Sequence, residues 1–339
     1  MSPPTTSPPS TAEVSPRARS RPLRSASRTG LSIALVTIGL LGVVALFASC
    51  LASDLPLVLK RDGRWYWLPN LFQPAGLASL RNADLRAEKR QGTRTTFALF
   101  PPIEQGPEST DLAQLNRGPS ARHFFGTDDV GRDVLARLIH GTRVTLLVGI
   151  GAVLLYLLIG GLFGYLAARF RLWDAVISRL VEVVLAFPAM IWVIVVTGLS
   201  PTPSVWLTAL AIAAIKWAAI AQIVRGEIFR LENEPFVQSA RALGSGDARL
   251  LLRHLLPHLV GPLAVSATFG VANAILIEGF VSYLGFGGSS VSWGALLAHA
   301  DLHSTDQWWL AAFPGVALFA AVLAFHAIGE SLQRRSASA

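Results

Sequence analysis

Long apolar runs separated by short polar ones set the pattern of this chain. The runs occupy residues 31–52, 144–168, 180–199, 205–224, 259–284 and 308–328. Each comes close to the ~20 residues a helix needs to cross a hydrocarbon core. The pattern predicts an all-α membrane protein of six transmembrane helices. A first helix over 31–52 is followed by an excursion over 53–142, then by a five-helix core over 143–330 and a short tail over 331–339. Gly160 and Gly164 have the small-xxx-small spacing that lets helices approach closely. Pro188 predicts a kink in the third run.

One polar, basic stretch, 234–257, stands between two of the runs and reads as a helical hairpin. Phe236, Ala240 and Leu243 fall at i, i+4 and i+7 and share one face of its first helix. Gly244 stands where a residue of positive φ stops that helix. Ser245 is placed to cap the second helix, and Asp247 suits its first turn. Arg249 and Arg253 share one of its faces, and Pro257 blocks its continuation. Two readings fit: a hairpin shaped to dock into another protein, or a solvated connection whose charges fix topology.

The 53–142 excursion carries smaller signals. Two short strands are predicted around Asp62-Gly63, a favoured hairpin turn. Trp65, Tyr66 and Trp67 there suit either packing on the bundle or the lipid interface, and the interface is preferred. Residues 73–120 read as loop, punctuated by Pro101-Pro102, Pro107 and Pro119. After them an amphipathic helix is predicted, with Thr127 as N-cap and Asp128 and Asp129 in its first turn. Val130, Val134 and Leu138 make its apolar face and Gly141 its end.

Charge sets the predicted orientation. The chain of 339 residues is 52% hydrophobic and 15% charged, with a net charge of +8. Its basic residues lie between the spans without a basic-aromatic groove, which argues against nucleic acid. Residues 1–30 are Ser, Thr, Pro and Arg and read as a disordered cytoplasmic tail. Arg17, Arg19, Arg21, Arg24 and Arg28 ahead of the first run, Arg169, Arg171, Arg179 and Arg225 between runs, and Arg334 and Arg335 after the last all fall on one side. The positive-inside rule then puts both termini and the 234–257 hairpin in the cytoplasm and 53–142 and 285–307 outside.

Catalytic signatures are missing. None of Lys60, Lys89 and Lys216 follows a glycine, so no phosphate-binding loop exists. The single cysteine and the scattered histidines give no metal cluster; His299 and His303, at i, i+4, read as a solvated face. Lys216, Glu182 and Glu278 are ionisable residues in or near the spans, which makes them candidates for a translocation path. An ion-coupled secondary transporter using these three is therefore the alternative, with a polytopic membrane enzyme as a third class.

The 234–257 stretch also resembles the coupling loop of permease subunits in ABC importers. That loop reads Glu-Ala-Ala, three residues, Gly, nine residues, an aliphatic, any residue, then Leu-Pro. Here Gln238, Ser239 and Ala240 stand at the first three positions, Gly244 at the glycine, His254 at the aliphatic and Leu256-Pro257 at the end. ARALG and RHLLP, FGTDDVGRD, VEVVLAFP at 181–188 and ILIEGFVSYLGFG at 275–287 are similar to the oligopeptide and dipeptide branch. The DLPLVLKRDGRWYWLP segment is similar to a subgroup for peptides and peptide-like antibiotics. The resemblance implies a multi-pass inner-membrane subunit of a bacterial importer that pairs with a homologous permease, two cytoplasmic ATPases and an external binding protein. It implies that Glu234, Phe236, Gln238, Ser239, Ala240, Arg241, Gly244, Asp247, Arg253, Leu256 and Pro257 form the ATPase contact. ATP would bind to the partners, and this chain would hold no cofactor and catalyse nothing.

Overall fold

The computed structural model describes residues 26–77, 80–301 and 305–336. The arginines at 17, 19, 21 and 24 and His303 lie outside the described residues. The first helix, α1 (Ala26–Leu46), starts ahead of the predicted 31–52 run, and α2 (Ala48–Leu51) follows a break at Phe47.

The excursion is more ordered than its sequence suggests. The predicted hairpin forms as β1 (Val58–Arg61) and β2 (Arg64–Trp67), with Asp62 and Gly63 both at positive φ. The short helices α3 (Pro69–Phe72) and α4 (Asn82–Gln91) follow, then β3 (Thr95–Leu99), which completes a sheet of order β2-β1-β3. The loop expected over 73–120 thus contains a helix and a strand. Its apolar pattern is faint because only one face of each is covered. Leu59, Leu85 and Ala98 meet in a small core with Leu55 and Leu77. Glu88 closes this unit: it accepts from Arg61 at 2.8 and 3.0 Å and from Thr95 at 2.7 Å. The hydrogen bond from Arg61 holds its carboxyl below the usual carboxylate range.

No separate amphipathic helix precedes the bundle. Asp133, not Thr127, caps the helix, its Oδ1 accepting from the Ala136 amide at 2.9 Å. The helix, α5 (Val134–Arg169), runs through Gly141 without a stop. Glycine ends a helix only where positive φ is required, and here its small size is what counts. A Cβ at Gly141 would lie 2.9 Å from the Trp293 ring.

The rest of the core is α6 (Arg171–Ala186), α7 (Ala189–Gly198), α8 (Val205–Glu232), α9 (Pro235–Ala242), α10 (Asp247–Leu250), α11 (Leu256–Tyr283), α12 (Trp293–Asp301) and α13 (Trp308–Ser336). α12 lies in the 285–307 segment that was read as an outside connection, and α13 continues as helix to Ser336, into the predicted 331–339 tail. Among the described residues, five helices are long and apolar enough to cross a membrane. The pair α6 and α7, bent by 84°, makes a sixth if counted as one broken span. The bend is at Phe187-Pro188, because proline forces the residue before it out of the helical region; Phe187 has ψ 133°. α5 lies along α8. A Cβ at Gly160 or Gly164 would come within 2.6 Å of the α8 backbone, so the small-xxx-small spacing does what its pattern suggests.

Side-chain contacts sort the segments between two ends of the bundle. Arg143 donates to Ala45 O at 2.8 Å and His140 bonds Ala52 O at 2.9 Å, so the end of α1 meets the start of α5. Arg137 donates to Ser290 O at 2.8 Å, bringing the 285–292 turn to the same end. At the opposite end Arg169 bonds Asp247 at 2.6 Å and Arg225 bonds Asp174 at 2.6 and 3.0 Å. That end gathers the 169–174 turn, the end of α8 and the whole of 234–257.

Candidate functional site

The 234–257 segment is a hairpin, but it is built differently from its sequence reading. α8 ends at Glu232, and Pro235 opens α9 at a position where a missing N–H costs nothing. α9 buries Val237 and Ala240 against Leu231, Leu250 and Leu255. Phe236 and Leu243, placed by spacing on one face with Ala240, are turned out, and Leu243 is 87% exposed. Phe236 instead stacks on His258, ring centroids 4.9 Å apart.

Gly244 ends α9 with φ +80°. The Ser245 amide donates to Ala240 O at 3.1 Å and the Gly244 amide to Arg241 O at 2.9 Å. These two bonds are the Schellman arrangement, which needs a left-handed residue at this point. The second helix opens at Asp247, with Gly246 O accepting from the Leu250 amide at 2.9 Å. Ser245, expected to cap it, lies in the turn.

Pro257 does not end the second helix. A π turn at Leu251–Leu255 widens the backbone ahead of it, and the Leu256 amide donates to Leu251 O, five residues back. The wider turn relieves the clash that a proline ring makes with the preceding turn. Helix α11 then carries straight on, so 247–283 is one rod with the hairpin at its foot.

Ion pairs tie the hairpin to the bundle. The hydrogen bond from Arg169 to Asp247 holds that carboxyl below its ordinary range. Arg241 pairs with Glu232, and Arg230 bridges Glu227 at 2.6 Å and Glu234 at 3.3 Å. Gln238, Ser239, Arg249, Leu252, Arg253 and Leu256 remain on the outer surface. Of the residues that the loop resemblance singled out, Ala240 alone is buried; the rest are half-buried or exposed and mix basic, acidic, polar and apolar side chains.

The three ionisable residues of the spans have unlike surroundings. Glu278 is 2% exposed and accepts from Thr145 at 3.1 Å and Ser282 at 2.7 Å. Lys216 is half-buried on α8 and lines a cavity of about 200 Å³ with Tyr156, Phe269 and Asn273. Glu182 is exposed and paired with Arg179 at 2.8 Å. The structure does not bring them together into one relay. Among the described residues no cluster of His, Cys, Asp and Glu is placed to hold a metal.

A family model described as "Binding-protein-dependent transport system inner membrane component" matches residues 160–338, just over half of the chain and the whole of the hairpin. The chain belongs to that family. It is a permease component of ABC importers and a multi-pass protein of the bacterial inner membrane. A Brucella suis biovar 1 (strain 1330) protein provisionally named a peptide permease is 38% identical over 245 residues, 70% of this chain and 80% of its own. A second from that strain, provisionally named a peptide transport system permease, is 36% identical over 239 residues, 69% and 80% of the two chains. The dipeptide transport system permease protein DppC of Alkalihalophilus pseudofirmus is 34% identical over 242 residues, 70% and 79%. The crystal structure of an amino acid ABC transporter with histidines overlaps 59% of this chain and 94% of its own, at 18% identity and a TM-score of 0.47, too distant to carry an argument.

At the other end of this permease lies a buried polar knot that its sequence did not reveal. Asp128 Oδ1 accepts from the Arg132 amide at 2.8 Å, and its Oδ2 accepts from Arg132 Nε and Arg137 Nη1, each at 2.7 Å. Asp128 and Arg137 are each 1% exposed. His123 Nδ1 bonds Asp133 at 2.8 Å, and Trp309 Nε1 donates to Thr127 O at 3.2 Å. Read alone, FGTDDVGRD looks like a charged helix start. Gly131 was the available signal, because its φ of +76° sets a tight turn against Asp111, where a Cβ would strike backbone.

Proposed function

We propose that this permease forms half of the translocation pathway of an ATP-driven importer for peptides. The peptide substrate rests on the names of relatives that match over two thirds of the chain. The observation that carries the coupling role is the hairpin at the foot of the 247–283 rod, with Gly244 at positive φ and Leu243 and Leu252 turned out at 87% and 65% exposure. A rigid element ending in an exposed basic and apolar face transmits movement of a docked partner along the rod. ATP-driven closure of two cytoplasmic ATPase subunits pushes on this face and switches access between the two sides. A homologous permease supplies the other half of the pathway, an external binding protein delivers substrate, and this chain binds no cofactor. Uptake of a labelled dipeptide by membranes holding all the subunits tests the reading, and its absence with every subunit present overturns it.

Both termini and the hairpin lie in the cytoplasm in this reading, with 53–142 and 285–307 outside. The basic residues of the short connections support it. Single cysteines at Ser245 and Ser290 in a Cys50→Ser background are expected to label from opposite faces of the membrane. Labelling of both from one face overturns the six-span topology.

Lys216 serves as a cavity-lining cation and not as a carrier of ions. Lys216→Met is expected to leave uptake intact or modestly reduced, since an apolar chain of similar length fills the same space. Complete loss of uptake at normal protein level moves the weight to the ion-coupled alternative.

A further inference from the structure

The β2-β1-β3 sheet has two unlike faces. Leu59, Tyr66 and Ala98 point inward to the small core beneath α4. Strand alternation puts Trp65 and Trp67, Val58 and Lys60, and Phe97 and Leu99 on the other face. There the two indoles stack at 5.9 Å, and Trp67 is 69% exposed. A monomer leaves so large an aromatic face open only when something covers it.

Three observations identify the cover. First, the face continues into α3, whose Leu71 and Phe72 are exposed, Phe72 at 76%. Second, α3 is pinned to the end of a membrane span. Asn70 Nδ2 donates to Ser49 O at 2.7 Å, directly beyond α1, whose last residue Leu46 is 71% exposed. The open apolar surface of the span therefore runs on into the sheet. Third, cations stand among the rings: Lys60 Nζ is 5.2 Å from the Trp65 ring and Lys89 Nζ 5.7 Å from Phe97. Arg64 is exposed at the hairpin turn. Aromatic rings with lysine and arginine among them, at the end of a span, match the headgroup layer of a bilayer. We propose that the outer sheet face and α3 lie in that layer and bind anionic lipid headgroups.

The lone cysteine allows a clean test. Nitroxide labels are attached to Trp67→Cys, Phe72→Cys and, as a reference beyond the inner sheet face, Ala87→Cys, each in Cys50→Ser. The full chain is placed in nanodiscs of phosphatidylcholine with or without phosphatidylglycerol. Labels at 67 and 72 are expected to show a severalfold higher ratio of oxygen to nickel-chelate collision than the label at 87. That ratio should rise further with phosphatidylglycerol and lose the rise in Lys60→Gln/Lys89→Gln. Chelate access equal to that at 87 puts the face in water and overturns the proposal. Shielding from both reagents only when partner subunits are present assigns the face to a protein neighbour and overturns it too. A ratio indifferent to phosphatidylglycerol overturns the anionic-headgroup part.

Discussion

Gly244→Val is expected to reach the membrane at normal abundance, lose most substrate uptake and release the ATPase subunits. Nothing lies within 4 Å of a Cβ built at Gly244, so crowding is not the cause. The cost is in the backbone, which has φ +80° there. A β-branched residue in that conformation costs on the order of 1–2 kcal/mol. Insertion of the apolar spans does not depend on so small a term. The hairpin does, because the bonds from the Ser245 and Gly244 amides exist only with a left-handed residue at this corner. Without them α9 leaves the turn at another angle and the exposed face no longer presents Leu243 beside Leu252. Gly244→Asn, which tolerates the left-handed region, should retain most uptake, and Gly244→Ala should fall between. Uptake assays with co-purification of the ATPases measure this. Normal transport and normal retention in Gly244→Val would return the segment to a solvated connection.

Asp128→Ala is expected to destabilise the fold by roughly 3–5 kcal/mol, the range for breaking a buried ion pair from one side. Arg137 would stay at 1% exposure with Ser290 O still accepting from it, a buried cation without the Asp128 charge that pairs it. The turn at 128–132 would also lose the acceptor for its own amides. Arg137→Leu alone should cost less, since Arg132 still pairs with Asp128 at 2.7 Å. The double change Asp128→Ala/Arg137→Leu should recover part of the loss, because no buried charge is stranded. Thermal unfolding in detergent reads all three. Equal melting of the single and double variants would mean the pair contributes nothing to stability.

Five of the six predicted spans were legible in the sequence because lipid imposes a rule that each segment satisfies alone: about 20 apolar residues. The proline bend at Phe187-Pro188 and the positive φ at Gly244 were legible for a related reason. Each follows from the covalent geometry of one residue and holds whatever surrounds it.

Most of what failed required a distant partner. Leu243 fits the apolar face of α9 by spacing, yet a two-turn helix buries only what the end of α8 and the foot of the rod reach, and they reach Val237. Pro257 has the sequence of a helix stop, and only a π turn ahead of it keeps the rod continuous. The strand at Thr95–Leu99 is too half-exposed to show a pattern, and it pairs with residues nearly 40 positions earlier. Asp128 and Arg137 look like surface charges until the turn at Ser290 meets Arg137 and Trp309 bonds the neighbouring Thr127 carbonyl. The sequence by itself determined the membrane spans and the corner of the hairpin, because burial in lipid and a glycine's freedom are local properties. Tertiary structure decided which charges are buried and which apolar residues are left bare, because burial in protein depends on neighbours that no local spacing records.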